Sequence, residues 1–357
     1  MKYIAWIIVI ALVIWALVSW SGKDSTPPTP TSSEPIKIGV VAPLTGGAAA
    51  YGVSLVKSIE LAHNDLGNNK SKYILVVEDD ASNPAQAATA AQKLANVDKV
   101  QAIITVTSGT GNSVKPIATG AQIPHVCICS DVTIADNEFN FINSILPDEE
   151  ATAWLKEASS RGVKTVAILS QNQAGFNLLT DNVKKEAVNN GITIVYDERF
   201  DPTIRDFKTG ISKAKLKNPD LYLAGFFPPQ LDIIGQELKN LGITKVAGMA
   251  TLSISATPEV FNGAWYSDSS LGDTAFRDRF NTQFPETRFN VRVAPNGYDS
   301  FNLLTKGFES GSVIDYLTNV TEYRGAAGSS VKNKGKRIFH SPIGIWEIKN
   351  GEPVQVK

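Results

Sequence analysis

From residue 36 onward, short apolar β-branched runs alternate with longer segments whose apolar positions recur every three or four residues. This is the pattern of buried parallel strands joined by crossover helices. IKIGVVA (36–42), YILVVED (73–79), AIITV (102–106) and HVCIC (125–129) read as strands, with helices predicted over 53–66, 85–95 and 113–121. After FNFINSILPDEE (139–150) the alternation restarts, with helices over 149–161, 176–190, 206–217 and 230–241 and strands at 165–169, 192–198, 220–227 and 245–250. Two similar βα series, separated by a non-helical connector near 143–147, predict an α/β fold of two doubly wound, Rossmann-like lobes. Beyond about Trp265 the order becomes irregular: helices over 272–284 and 298–309 and the final strands GIWEIK and PVQVK must be shared between lobes already begun.

The stretch 101–133 is the most informative, because it reads as one βαβ unit. Parallel strands joined by a helix put both C-terminal strand ends on the same sheet edge, where open α/β folds bind ligands. Ser108 and Thr133 are expected side by side there. Hydroxyls and free backbone N–H groups at helix N-termini suit a small anion such as a carboxylate. The same residues also suit plain helix caps, and spacing alone does not separate the two roles.

The N-terminus differs in kind. Tyr3 to Trp20 is apolar apart from Ser19, and as a helix it covers roughly 27 Å, close to the thickness of a bilayer core. Residues 1–20 are therefore expected to be a transmembrane anchor, with a cleaved signal segment as the competing reading; Ser19-Trp20-Ser21 is a poor cleavage site. No cysteine lies near it, which excludes a lipoprotein anchor. Residues 21–35, SGKDSTPPTPTSSEP, form an extended Ser/Thr/Pro tether. Either reading exports the folded body.

Composition adds exclusions. With 34 Lys+Arg against 35 Asp+Glu and no basic cluster, nothing favours nucleic acid. Cys127 and Cys129 alternate on one predicted strand, where i,i+2 residues sit near or beyond the separation a disulfide accepts, so two buried free thiols are expected. Three histidines, none near these cysteines in sequence, give a metal site little support, and no cofactor is expected. There is no G-x-S-x-G elbow, P-loop or H-E-x-x-H, and His125 opens its strand at the edge opposite Ser108, so no enzyme is predicted.

The motifs IKIGVVAPLTGGAAAYG (36–52), VVEDDASNPAQAATAAQKL (76–94), DKVQAIITVTSG (98–109), PIATGAQIP (116–124), GYDSFNLL (297–304) and YRGAAGSSVKNKGKRIF (323–339), in this order, resemble the type I periplasmic substrate-binding proteins of ABC transporters, the leucine/isoleucine/valine-binding group. The resemblance implies two lobes joined by a three-crossing hinge and closing on ligand. It places lobe 1 at 36–146 plus 268–340 and lobe 2 at 147–267 plus 341–357. It also implies permease and ATPase subunits as partners, with a sensory receptor of the same fold as the alternative.

By the same resemblance, the ligand carboxylate falls to Ser108, Val132 and Thr133, and Tyr51 covers the ligand. The family's ammonium partners fall on Ala174 and Ala250, which carry no charge, so the usual amino-acid mode is in doubt; an unpaired ammonium in a closed cleft costs several kcal/mol. Phe226, Phe227 and Trp265 are expected to give the second lobe's face of the cleft an apolar character. Of the adjacent phenylalanines, one faces the core and the other the cleft.

Overall fold

A computed structural model describes residues 34–135, 138–335 and 337–357. The expected N-terminal span and most of the tether lie outside the described residues. Among the described residues no helix is long and apolar enough to cross a membrane.

The strands are β1 (Ile36–Ala42), β2 (Tyr73–Asp79), β3 (Ala102–Val106), β4 (His125–Ile128), β5 (Asn140–Asn143), β6 (Thr165–Gln171), β7 (Thr193–Phe200), β8 (Leu221–Gly225), β9 (Val246–Gly248), β10 (Trp265–Ser269), β11 (Glu322–Gly325), β12 (Gly328–Lys334), β13 (Ile338–His340), β14 (Ile343–Lys349) and β15 (Glu352–Gln355). The α-helices are α1 (Ala49–Asp65), α2 (Pro84–Lys93), α3 (Ser108–Ala121), α4 (Pro147–Ser160), α5 (Ala174–Ala187), α6 (Lys208–Lys215), α7 (Gln230–Asn240), α8 (Thr274–Gln283), α9 (Val293–Glu309) and α10 (Val313–Asn319).

Two sheets organise the body. One has the order β11-β12-β13-β5-β4-β3-β1-β2, the other β15-β14-β10-β9-β8-β6-β7. Five parallel strands of each follow the same path, β2-β1-β3-β4-β5 and β7-β6-β8-β9-β10. Each sheet therefore reverses its winding once, between β1 and β3 and between β6 and β8, and such a switch point opens a crevice at the C-terminal strand ends. The chain passes between the sheets three times, after β5, after β10 and after β13. The irregular C-terminal third thus supplies β11–β13 to the first sheet and β14 and β15 to the second. α9 packs along α1 on the first sheet.

Three differences from the sequence reading have physical causes. α3 begins at Ser108, five residues earlier than its glycines suggest, because Thr107 takes the sharp turn and its hydroxyl accepts the Thr110 N–H at 3.3 Å. Cys127 and Cys129 are joined rather than free: β4 ends at Ile128, the chain bends there, and the two Cα atoms come to 5.5 Å, inside the bonding range. Residues 140–143, to which the apolar pattern assigns no element, form the strand β5, because β13 pairs with their outer edge.

His125 is wholly buried in the first sheet, with Nε2 2.8 Å from Thr105 Oγ1 and Nδ1 2.7 Å from Asn140 Oδ1. Burial pushes its imidazole down to about 4, from an ordinary value of 6.5. Protons therefore bind the unfolded chain preferentially, so this contribution to stability is full above about 6.5 and is lost as pH falls toward 4. The loss amounts to about 3 kcal/mol. Denaturant unfolding of wild type and His125→Gln between pH 7 and 4 tests this: the difference between the two curves should change by roughly that amount, and a flat difference removes His125 as the source. Taking the difference cancels the opposing slope of Asp299, which burial pushes up to about 7.

Candidate functional site

A cavity of about 310 Å³ lies where the C-terminal ends of the two sheets face each other, at the small end of the range for metabolite pockets. From the first lobe it is lined by Gly47 and Tyr51 after β1, Ser82 after β2, Thr107, Ser108 and Thr110 after β3, and Cys129 and Ser130 after β4. The second lobe contributes Gln173 and Phe176 after β6, Arg205 after β7, Phe227 after β8 and Met249 to Thr251 after β9. Every loop at the C-terminal end of strands β1–β4 and β6–β9 thus reaches the cavity.

The lobes meet around it. A Cβ added to Gly47 would stand 2.5 Å from the Pro228 carbonyl oxygen, and one added to Gly175 would stand 3.6 Å from Ser108 Oγ. Glycine at 47 is what lets the first lobe's loop close against the second. Tyr51 and Phe227 meet edge to face at 6.0 Å across the gap, and Phe227 packs on Phe176 at 4.9 Å. Together they form an aromatic box with contributions from both lobes.

Polar groups converge on one side of that box. Ser108 Oγ accepts the Ser130 N–H at 3.3 Å, leaving its own proton to donate. Thr110 Oγ1 donates to the buried Asp80. Thr107, between β3 and α3, has φ 75° and ψ 146°, a conformation normally left to glycine, and such backbone costs of order 1–3 kcal/mol. It is the joint that swings Ser108 to the cavity wall. α5 and α7 begin without a side-chain cap, so their N-terminal amides face this region unmasked by their own N-cap residues. N-terminal amides and the helix dipole make the surroundings attractive to an anion.

The strongest electrostatic feature is Arg292, which precedes α9 in the first lobe. Its Nη2 donates to Glu150 Oε1 at 2.7 Å and its Nε to Asp268 Oδ1 at 2.7 Å. Glu150 (α4) and Asp268 (β10) belong to the second lobe, because β10 runs to Ser269 in the second sheet, two residues past the expected boundary at 267, and they are 2% and 0% exposed. Burial raises both carboxyls above their usual range, with the guanidinium opposing it. For Arg292, burial opposes the charge, but Glu150 and Asp268 outweigh it and hold the guanidinium protonated. Burial and the nearby Asp268 keep the Tyr51 phenol neutral.

Of the residues expected at a ligand, Ser108, Tyr51 and Phe227 line the cavity, and so do Ala174 and Ala250. Four do not. Val132 and Thr133 lie beyond the bend after β4: Thr133 N–H and Oγ1 both donate to Asp131 Oδ1, at 3.1 and 2.7 Å, turning the chain away, and Val132 is 38% exposed. Their expected place is taken by Cys129 and Ser130, so the expectation for this loop is corrected by three residues. Phe226 alternates with Phe227 and is fully buried against Phe200 and Phe207. Trp265 stacks on Trp154 at 5.2 Å, under Arg161, away from the cavity. Glu150, Arg292, Gln173 and Arg205 were not anticipated; the acidic PDEE at the start of α4 was the one visible signal.

Replacing Arg292 by Met leaves two buried carboxyls without their cation and should cost about 3–5 kcal/mol. Adding Glu150→Gln and Asp268→Asn should restore part of it. Chemical denaturation of the single and triple variants tests this, and a single variant as stable as wild type excludes the pairing as a source of stability.

A sequence model for a family described as periplasmic binding protein matches residues 35–352. The Leu/Ile/Val-binding protein BraC3 of Rhizobium johnstonii is 25% identical over 346 residues, 90% of this chain and 89% of that protein. Among solved structures, a leucine-binding protein LivK from Thermotoga maritima superposes with a TM-score of 0.82 at 20% identity, covering 90% of this chain and 98% of that one. A solute-binding protein of an ABC transporter from Rhodopseudomonas palustris, solved with 3,4-dihydroxybenzoic acid, gives 0.78 at 20% identity, over 90% and 96% of the two chains.

Proposed function

The chain belongs to the periplasmic binding protein family, and from that premise we propose that it is the extracytoplasmic solute-binding subunit of an ABC importer, closing its lobes on a small carboxylate. The observation that carries the reading is the cavity itself: a hydroxyl from Ser108 and uncapped helix ends on one side, and the rings of Tyr51, Phe176 and Phe227 on the other. A charge-assisted hydrogen bond from such donors suits a carboxylate, and each buried ring contributes on the order of 1.5–3 kcal/mol of apolar contact.

Within that class the balance favours an apolar or aromatic acid over a zwitterionic amino acid. Ala174 and Ala250 offer an ammonium nothing, and the acid on the cavity wall, Glu150, is already engaged by Arg292. A leucine-type ligand is the second reading, because the relative just described is named for it and Glu150 is an acid within the cavity wall. We read the role as binding without catalysis: His125 is held by Thr105 and Asn140, and among the described residues the Ser108 hydroxyl has no hydrogen bond to a basic side chain. We take residues 1–20 as the anchor, 21–35 as the tether, and motion about the three crossings as the closing step.

Calorimetry with benzoate, leucine and the deaminated analogue of leucine on the soluble body, residues 34–357, tests the ligand class. Benzoate or the deaminated analogue should bind more tightly than leucine. Ser108→Ala should weaken that binding by about 1.5–3 kcal/mol. Tight leucine binding abolished by Glu150→Gln would reverse the preference and restore an amino-acid site. For the anchor, full-length protein should stay in the membrane fraction at high salt and leave it only with detergent, because apolar burial is not screened by ions. Recovery of a soluble form beginning near Gly22 refutes it.

A further inference from the structure

Arg205 lines the cavity from the loop that follows β7. That loop is held in shape: Asp201 Oδ1 accepts the Thr203 N–H at 2.8 Å and the Thr203 hydroxyl at 2.6 Å, and the Gln230 side-chain amide donates to the Pro202 carbonyl. The guanidinium is pinned to its own loop, with Nη1 donating to the carbonyls of Pro202, Thr203 and Ile204 at 3.4, 2.8 and 3.1 Å. Its Nε and Nη2 have no hydrogen-bond partner among the described residues, and no carboxylate there forms an ion pair with it. Gln173, on the same side of the cavity, likewise has a side-chain amide with no hydrogen bond among the described residues.

The other charged groups on the wall, Glu150 and Arg292, satisfy each other. Arg205, exposed to solvent at the cavity's edge, is therefore the charged side chain of the wall without an ion-pair partner among the described residues. Its position is also distinct. β7 is an edge strand and β10, which carries Asp268, lies four strands away in the order β7-β6-β8-β9-β10. At about 4.8 Å per strand, the ends of β7 and β10 stand on the order of 19 Å apart, and the Arg205 loop reaches from the β7 end toward Gln230 at the start of α7. Ser108 faces α5, which follows β6, between these two ends. A ligand held by one carboxylate near Ser108 shares the cavity with the Arg205 fork, whose Nη1 is tied to its own loop. A planar guanidinium with two free donor positions matches a second carboxylate.

We propose that Arg205 sets specificity by binding a second anionic group, so that this cavity takes a compact dicarboxylate in preference to a monocarboxylate. The inference rests on the carboxylate reading of the Ser108 side and can fail separately from it. Terephthalate and benzoate serve as probes, titrated by calorimetry into wild type, Arg205→Gln and Arg205→Lys, with a thermal melt of each variant.

Wild type should bind terephthalate at least tenfold more tightly than benzoate. Arg205→Gln should remove that difference while leaving benzoate within about twofold, and Arg205→Lys, which keeps the charge but not the fork, should retain part of it. Equal binding of the two acids by wild type, unchanged by Arg205→Gln, overturns the role of Arg205 and leaves the carboxylate reading standing. Equal weakening of both acids, with a lowered melting temperature in both variants, makes Arg205 a structural pin of its loop and also overturns it. If neither acid binds wild type and leucine does, the carboxylate reading falls and this inference falls with it.

Discussion

A largely covered arginine held by two buried acids from the opposite lobe is the interaction on which this structure turns. Arg292 comes from the first lobe; Glu150 and Asp268 come from the second. Desolvating three charges is expensive, and a buried ionic cluster is weak evidence for net stability, but it is strong evidence for geometry, because misplacing any member strands a charge in an apolar interior. The cluster therefore fixes how the lobes meet at the hinge side. Glu150 and Arg292 also line the cavity, so a ligand that excludes water from that wall acts on the same groups that register the lobes. In the proposed role, binding and closure would be coupled to the extent that the ligand interacts differently with the two arrangements.

The second constraint is topological. Each sheet runs its first five strands along the same path, so each has one switch point, and the two switch points face each other. Loops after strands are obliged to end there. This is why residues far apart in the chain, such as Tyr51, Ser108, Phe176 and Phe227, form one wall system without any long-range motif. The local cost is concentrated at Thr107, whose backbone takes a glycine-like conformation to deliver Ser108. Strain at a ligand-facing joint persists because the surrounding sheet and helix over-determine it.

How much of this could be read in advance follows from the range of the interactions involved. Parallel strands read as continuous runs of apolar, β-branched residues, so β1, β2 and β3 match their predicted spans residue for residue, although β2, at the sheet edge, is only half-buried. Strand alternation also told which of Phe226 and Phe227 belongs to the core only up to an exchange, and packing on Phe200 and Phe207 decided it. The bend after β4 was illegible, because its geometry depends on Asp131 accepting from Thr133 and on the Cys127–Cys129 link. The same bend takes Val132 and Thr133 away from the wall. The pairing of Arg292 with Glu150 spans 142 positions, and nothing in the local pattern around either residue announces it.

Charge accounting inside the cavity gives the last step. A closed cleft has little water to compensate a mismatched ligand, so specificity there is set as much by what is left unpaired as by what is satisfied. The Ser108 hydroxyl and the uncapped N-termini of α5 and α7 disfavour a cation at the centre. Glu150 is the group that would argue the other way, but withdrawing it from Arg292 to serve an ammonium would leave a guanidinium facing Asp268 alone, loosening the contact between the lobes. A ligand that asks nothing of Glu150 lets the hinge cluster and the cavity be satisfied together. In the proposed reading of this cavity, that condition, more than any single contact, is what would set an anionic ligand apart from a zwitterionic one.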